Sequence, residues 1–345
     1  TVNIDNSGNM NGDTGSVLRR DKNLVVDFSK DLFIPNNENN MSVWVEVEDR
    51  VGHRSKNSRN LSIDKDAPVI SVSYDTFSDD SFYNKNRVAT VTIKERNFRS
   101  GDVKFDGVIG SVGEWSNIGN DTWVTNVVFS EDNDYQWSVS YTDMAGNIGN
   151  TYNSEKFTID KTAPILNVGF DNNSVQSGNF YKDSRVATIT VIEKNFDPSL
   201  VKLEGNGSIG GWSSSGDTHK ANIVFDTDGE YDFSVSLSDK AKNASNSFSS
   251  GKFIIDKTKP TINVSGVQNG VSYKKNAGFK VTLSDLNIDA ERCVVTFSGR
   301  SIGDISLIGG INGNTGEFTF QGVPDDIKYD DLYSLKAIIY DKAGN

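Results

Sequence analysis

The chain has 345 residues, 35% of them hydrophobic and 10% aromatic, with a formal net charge of -12. That is enough apolar material for packed cores, and a prior of roughly 100 to 200 residues per domain gives two to four domains. The acidic balance argues against nucleic acid or anionic lipid as partners, the single cysteine Cys293 excludes an intrachain disulfide, and no run of about 18 apolar residues is present to span a membrane.

Residues 1–64 hold "NLVVDF" at 23–28 and "MSVWVEVEDRVGH" at 41–53, and end on "IDKDAP" at 63–68. That last phrase returns as "IDKTAP" at 159–164 and "IDKTKP" at 255–260, a spacing of 96 residues each time. Self-similarity at a fixed period is the signature of a repeat architecture. The spacing divides the chain into a partial unit 1–64, full units 65–160 and 161–256, and a unit 257–345 lacking its last strand. The chain begins without Met and stops inside a motif, which reads as a piece of a longer protein.

In the second unit, "FYNKNRVATVTIKERNF" at 82–98 matches "FYKDSRVATITVIEKNF" at 180–196 at 10 of 17 positions, with a weaker copy, "YKKNAGFKVTLSDLNI", at 273–288. Ala89, Val91 and Ile93 alternate with polar or smaller residues, so a strand with one buried face is expected. A carboxylate and an asparagine follow it each time, as Glu95 and Asn97, Glu193 and Asn195, Asp285 and Asn287; in that position they read as a side chain tying down the turn. Further on, "YQWSVSYTDMAGN" at 135–147 is matched by "YDFSVSLSDKAKN" at 231–243 and "YSLKAIIYDKAGN" at 333–345. Aligned on Asp49, Asp143, Asp239 and Asp341, these strands share a core face led by Val43, Trp137, Phe233 and Leu335. About seven short strands per 96 residues, with turn signals between them, predict a β-sandwich.

The "IDKTAP" head and "DMAGN" or "DKAGN" tail of each unit resemble the tandem bacterial Ig-like domains of large secreted and cell-surface proteins. Tyr135, Tyr231 and Tyr333, each opening its strand, resemble the tyrosine corner of such domains. The copies depart from the pattern at His53, Lys242 and Lys259, which are turn and linker positions. The resemblance implies an all-β rod of tandem immunoglobulin-like sandwiches without disulfides, on the bacterial cell surface or secreted. It implies a non-enzymatic stalk or adhesin, with direct binding of a host protein such as immunoglobulin, or a glycan-related role beside a carbohydrate-active enzyme, as alternatives. Pro68, Pro164 and Pro260 each suit the first position of an edge strand, and the short junctions are expected to be stiff.

Catalysis has little support, because the two histidines, His53 and His219, lie in separate units and neither recurs. Calcium is the most credible ligand, since it takes oxygen donors and carboxylates gather near the junctions as Asp64 and Asp66, Asp143 and Asp160, Asp239 and Asp256. The competing reading pairs those aspartates with Lys65, Lys161 and Lys257. Protein-binding candidates are Trp44, which falls off the core register, and Trp123, which stands opposite His219; cover by the N-terminal segment and the end of a buried face are their respective alternatives. Trp115 and Trp212 match each other and read as packing residues. The cluster Asp79, Asp80, Glu131, Asp132 and Asp134 reads as a solvated loop face.

Overall fold

The computed structural model describes residues 51–345 apart from 77–80, 176, 274–276 and 308, together with the backbone of strands Val2–Asp5, Ser16–Arg20, Asn23–Asp27 and Glu38–Glu48. It resolves into two compact units, residues 1–161 and 162–345. Two of the four sequence repeats fall in each.

Residues 65–160 form two facing sheets, as the alternation predicts. One sheet runs Ser111–Val112, Thr122–Phe129, Arg87–Lys94, Val69–Tyr74; the other joins Tyr152–Asn153, Asn133–Tyr141, Phe157–Ile159 and Phe82–Tyr83, with Val103–Val108 on the free side of Asn133–Tyr141. Residues i, i+2 and i+4 of a strand share a face. Ala89, Val91 and Ile93 accordingly meet Trp137, Val139 and Tyr141 in one fully buried cluster. Burying each Val or Ile of that face contributes about 1.5–3 kcal/mol. The cluster also takes in Trp115, as the sequence predicts.

Residues 161–256 repeat the plan. Ile165–Phe170, Arg185–Ile192, Thr218–Phe225 and Ser213–Ser215 make one sheet, and Phe233–Leu237 and Phe253–Ile255 lead the opposite face around a core of Ile189, Val191, Phe233 and Val235. Residues 257–345 have the sheet Thr261–Ser265, Phe279–Ser284, Thr315–Phe320, Gly310–Asn312 and a three-stranded sheet in which Val294–Gly299 lies between Gly303–Ser306 and Tyr333–Ile338. Pro68, Pro164 and Pro260 immediately precede strands at a sheet edge, where a residue without an N–H leaves no ladder bond unmade.

The tyrosine corner is present three times. Tyr135 Oη donates to Glu131 O at 2.9 Å, Tyr231 Oη to Thr227 O at 2.9 Å and Tyr333 Oη to Tyr329 O at 2.6 Å. Two other devices were not anticipated. Half-buried Arg87 and buried Arg185 lie over aromatic faces, 3.7 Å from the Tyr74 centroid and 3.6 Å from that of Phe170. The segment closing each complete sandwich is fixed by an asparagine that copies a strand pair: Ile70 N–H donates to Asn150 Oδ1 and Asn150 Nδ2 to Ile70 O, both at 2.8 Å. Asn246 does the same to Leu166 at 3.2 and 3.1 Å.

Residues 1–64 depart from the expected layout. The sequence sets "NLVVDF" in the place of "NIVF" at 222–225, which pairs with Arg185–Ile192; Asn23–Asp27 instead forms a hairpin with Ser16–Arg20. Arg54–Ile63 runs as one long strand along Glu38–Glu48, where the complete repeats use two short ones.

Candidate metal centre

The junctions at Asp64 and Asp256 each assemble from three local pieces. The first is the turn after the "Y-x-W-x-V" strand. Asp143 Oδ1 accepts from the N–H groups of Ala145 (2.9 Å) and Asn147 (2.8 Å), and its Oδ2 accepts from Asn147 Nδ2 at 2.8 Å. Asp341 is held alike, by Asn345 N at 2.8 Å and Asn345 Nδ2 at 2.9 Å. Gly146 and Gly344 supply the left-handed residue, at φ 90° and 89°. Lys242 occupies that position in the remaining copy, at φ 72°. The second piece is the turn after the "RVATVT" strand, where Glu95 Oε1 accepts Asn97 N–H at 2.8 Å and Asp285 Oδ1 accepts Asn287 N–H at 2.7 Å. The third is the last residue before each "K-x-x-P", Asp64 or Asp256.

Two asparagines clasp this third residue. Asn97 Nδ2 donates to Asp64 Oδ2 at 2.8 Å and Asn147 Nδ2 to Asp64 O at 3.1 Å. In the fourth repeat Asn287 Nδ2 donates to Asp256 Oδ2 and Asn345 Nδ2 to Asp256 O, both at 2.7 Å. The result is two triads, Asp64–Glu95–Asp143 and Asp256–Asp285–Asp341, in each of which one oxygen per carboxylate lies within 4.8 Å of the others. Glu95, Asp143, Asp256 and Asp341 are buried.

Such an arrangement is electrostatically uncomfortable without a cation. Burial pushes the Glu95 carboxyl up, and the negative charges of Asp64 and Asp143 push the same way against the Asn97 hydrogen bond. Burial likewise raises Asp256 and Asp285, with Asp341 adding to both. Arg96 Nη2 stands 3.8 Å from Asp64, whereas among the described residues no basic nitrogen lies within 4 Å of the Asp256, Asp285 or Asp341 carboxylates. The predicted lysine pairing does not form at Lys161 or Lys257. Both direct their amines to carbonyls of the preceding acidic loop, Ser130 O and Asp226 O, and their N–H groups to Asp132 and Asp228. The Ser130–Asp132 part of that loop is thus a cap for the junction rather than only a solvated face, while Asp79 and Asp80 lie outside the described residues.

An all-oxygen donor set fits a hard cation. Calcium takes six to eight oxygens at about 2.3–2.6 Å, so two ligands across one ion stand up to about 5 Å apart, a span that covers these separations. The sequence repeats the three positions as Asp160, Glu193 and Asp239. Asp239 is held by Asn243 N and Nδ2, both at 2.8 Å, and Glu193 by Asn195 N at 2.6 Å, as in the other copies; Asp160 N–H donates to Tyr83 O at 2.9 Å.

Of the residues chosen from sequence, Asp66 is exposed and outside the triad, its N–H donating to Asp64 Oδ1 at 3.3 Å. Its counterparts are Thr162 and Thr258, so its carboxylate is not part of the repeated set. Glu95, Asp285 and Asp341 complete the triads and are not among the residues chosen from sequence. Trp123 stacks on Phe98 with centroids 4.9 Å apart, and its Nε1 is buried without a hydrogen bond. His219 takes the same place against Phe196, its ring nitrogens meeting Ser214 Oγ and Glu193 O. Trp44 has its backbone paired with Asn3 and Ser58, and its side chain lies outside the described residues.

A family model described as a bacterial Ig-like domain matches residues 312–345, which contain Thr315–Phe320, Tyr333–Ile338 and the Asp341 turn. The fourth repeat thus carries a bacterial Ig-like match over its last 34 residues, and the two repeats before it share its tyrosine corner and aspartate turn. The chain is a tandem array of immunoglobulin-like β-sandwiches, without disulfides. Comparison with curated proteins gives no match. Among solved structures the chain is similar to a tetra-tandem repeat from the extending region of a large adhesion protein (18% identity, 89% of this chain and 79% of that one, TM-score 0.34). It is also similar to invasin, a bacterial integrin-binding protein (14% identity, 86% of this chain and 64% of that one, TM-score 0.34), and to domains 4–9 of the surface layer protein SbsC (10% identity, 88% and 68%, TM-score 0.17). No helix among the described residues is long and apolar enough to cross a membrane.

Proposed function

We propose that this chain is a stalk segment of a bacterial cell-surface or secreted adhesin-like protein, and that calcium held at its junctions fixes each repeat to the next. The observation that carries the reading is the carboxylate triad. A sandwich has no structural need to bring three acids within 4.8 Å of one another, and this chain does so at the same place in two junctions. An ion bridging them couples the end of one repeat to two turns of the following one, which converts a flexible linker into a fixed joint. The reach of the stalk is then its function, and repetition supplies length.

A reading as a sugar-stacking accessory region is less well supported. It calls for exposed aromatic rings in a row, and among the described residues Tyr273 is the only markedly exposed aromatic. The test is terbium luminescence and calcium titration calorimetry on the chelator-treated chain, with small-angle scattering in both states. Saturable calcium uptake that extends the particle and narrows its distribution of shapes is expected. Failure to take up either ion at millimolar concentration would remove the proposed joint.

A further inference from the structure

The joints at Asp64 and Asp256 are built alike and differ at one position. Arg96 stands between Glu95 and Asn97 where Leu286 stands between Asp285 and Asn287. The hydrogen bonds on either side are the same, from the asparagine N–H to the turn acid and from the asparagine Nδ2 to Asp64 or Asp256 Oδ2. One turn therefore carries both residues. Arg96 reaches back across the joint: its Nη2 donates to Ile63 O at 3.1 Å and stands 3.8 Å from Asp64 Oδ2, whose side chain is 7% exposed. Leu286 has no atom that can do this and is 78% exposed.

The Asp64 joint thus holds three carboxylates and a guanidinium, while the Asp256 joint holds three carboxylates with no basic nitrogen within 4 Å among the described residues. Neighbouring lysines do not make up the difference. Lys342, next to Asp341, sets its amine 5.5 Å from the Phe180 centroid, and Lys257, next to Asp256, gives its amine to Asp226 O. Asp228 adds a negative charge that pushes the Asp256 and Asp285 carboxyls up, whereas Arg96 pulls Glu95 down against its burial. The affinity of an oxygen site for calcium follows the charge of its ligand set. A guanidinium already beside one ligand neutralises part of that charge and repels the incoming divalent ion.

We propose that the residue after the first turn acid sets how far each joint depends on calcium: Arg96 stands in for the ion at Asp64, and Leu286 leaves the joint at Asp256 to be closed by it. The inference rests on the calcium reading of the triads given above. Without calcium, the Asp64 joint keeps side-chain ties from Arg96, Asn97 and Asn147, and the Asp256 joint keeps them from Asn287 and Asn345 alone. With calcium, the Asp256 joint is the tighter site, by about tenfold or more. One joint then holds with or without the ion and another closes as the ion rises, so stiffness is graded from joint to joint rather than switched all at once.

The test follows hydrogen exchange of peptides covering 93–102 and 283–292 in the full chain as free calcium is raised from chelator, so that each joint reports its own midpoint. A midpoint about tenfold lower is expected at 283–292 than at 93–102. Arg96→Gln keeps a donor for Ile63 O and removes the charge; it is expected to reduce protection of 93–102 in chelator and to lower that joint's calcium midpoint about tenfold. Leu286→Arg changes an exposed side chain without disturbing a packed one, and is expected to raise the midpoint at 283–292 about tenfold. Equal midpoints at the two joints, or midpoints that neither substitution moves, would overturn the proposal while leaving calcium at the triads. Absence of any calcium-induced protection at both joints would instead remove the calcium reading itself, and this inference with it.

Discussion

Asp285→Asn separates a cation site from a mere turn. The asparagine retains an oxygen to accept the Asn287 N–H, so the bond seen at 2.7 Å survives, and one negative charge is removed beside Asp256 and Asp341. Two unit charges 4.8 Å apart repel by about 3.5 kcal/mol at an effective dielectric constant of about 20 and by about 0.9 at that of water. Asp285 is only half-buried, so about 1–2 kcal/mol of relief is expected in chelator once solvent screening is allowed for. In calcium that advantage is cancelled. Ligand at 100 to 1,000 times its Kd stabilises the folded state by about 2.7–4.1 kcal/mol, and loss of a ligand that weakens binding tenfold removes about 1.4 of that. Because a multi-repeat chain does not unfold in one step, the assay is hydrogen exchange of peptides covering 279–292 and 333–345, which reads local opening energies. The same change in protection in chelator and in calcium would mean that the carboxylate holds no cation, and the calcium reading would fall.

Asp143→Ala orphans two backbone N–H groups and the Asn147 amide, and is expected to cost about 3–5 kcal/mol in either medium, seen as lost protection across 141–149. The raised carboxyls Glu95, Asp256 and Asp285 bind protons more tightly folded than unfolded, so they favour folding as pH falls from above their folded values toward the ordinary carboxylate range. Chelated junctions should therefore gain protection on mild acidification, while the calcium-induced increment shrinks as protons compete. Lys242→Gly relieves a left-handed residue at about 1–2 kcal/mol against an entropic cost of about 0.5–1, giving a net gain of about 0.5–1 kcal/mol in the third repeat's thermal transition. Tyr231→Phe removes the bond to Thr227 O and is expected to cost about 0.5–1.5 kcal/mol in the same assay.

The sandwiches were legible because strand chemistry is local. Ala89, Val91 and Ile93 announce their common face by alternation alone, and Tyr135, Tyr231 and Tyr333 carry the corner within four residues of its acceptor. The triads were only half legible. Asp64 and Asp143 could be chosen as junction acids, but their partner Glu95 looked like a turn tie, and it is one: its Oε1 holds Asn97. What alignment of the repeats cannot supply is that the same carboxylate's position after one sheet strand brings it beside an aspartate 48 residues further on in the facing sheet. Arg87 was hidden for a similar reason. A strand-opening arginine reads as surface until Tyr74, Tyr83 and Phe157 converge on it from three separate segments.

The spacings within the repeats explain why the junction phrase returns without drift. From the junction aspartate to the first turn acid the separation is 31, 33 and 29 residues in the three copies, and to the second turn aspartate it is 79, 79 and 85. Loops between the strands absorb those changes, because an inserted residue in a surface loop costs little closure entropy. The junction itself has no such slack. Asp64 must reach Asn97 through its side chain and Asn147 through its carbonyl at once, and Pro68 must open the edge strand four residues later. One extra residue there would turn the aspartate away from both asparagines and reverse the face of the strand that follows. The chain spacing is thus strict at the junction phrase, while the loops elsewhere take up the differences.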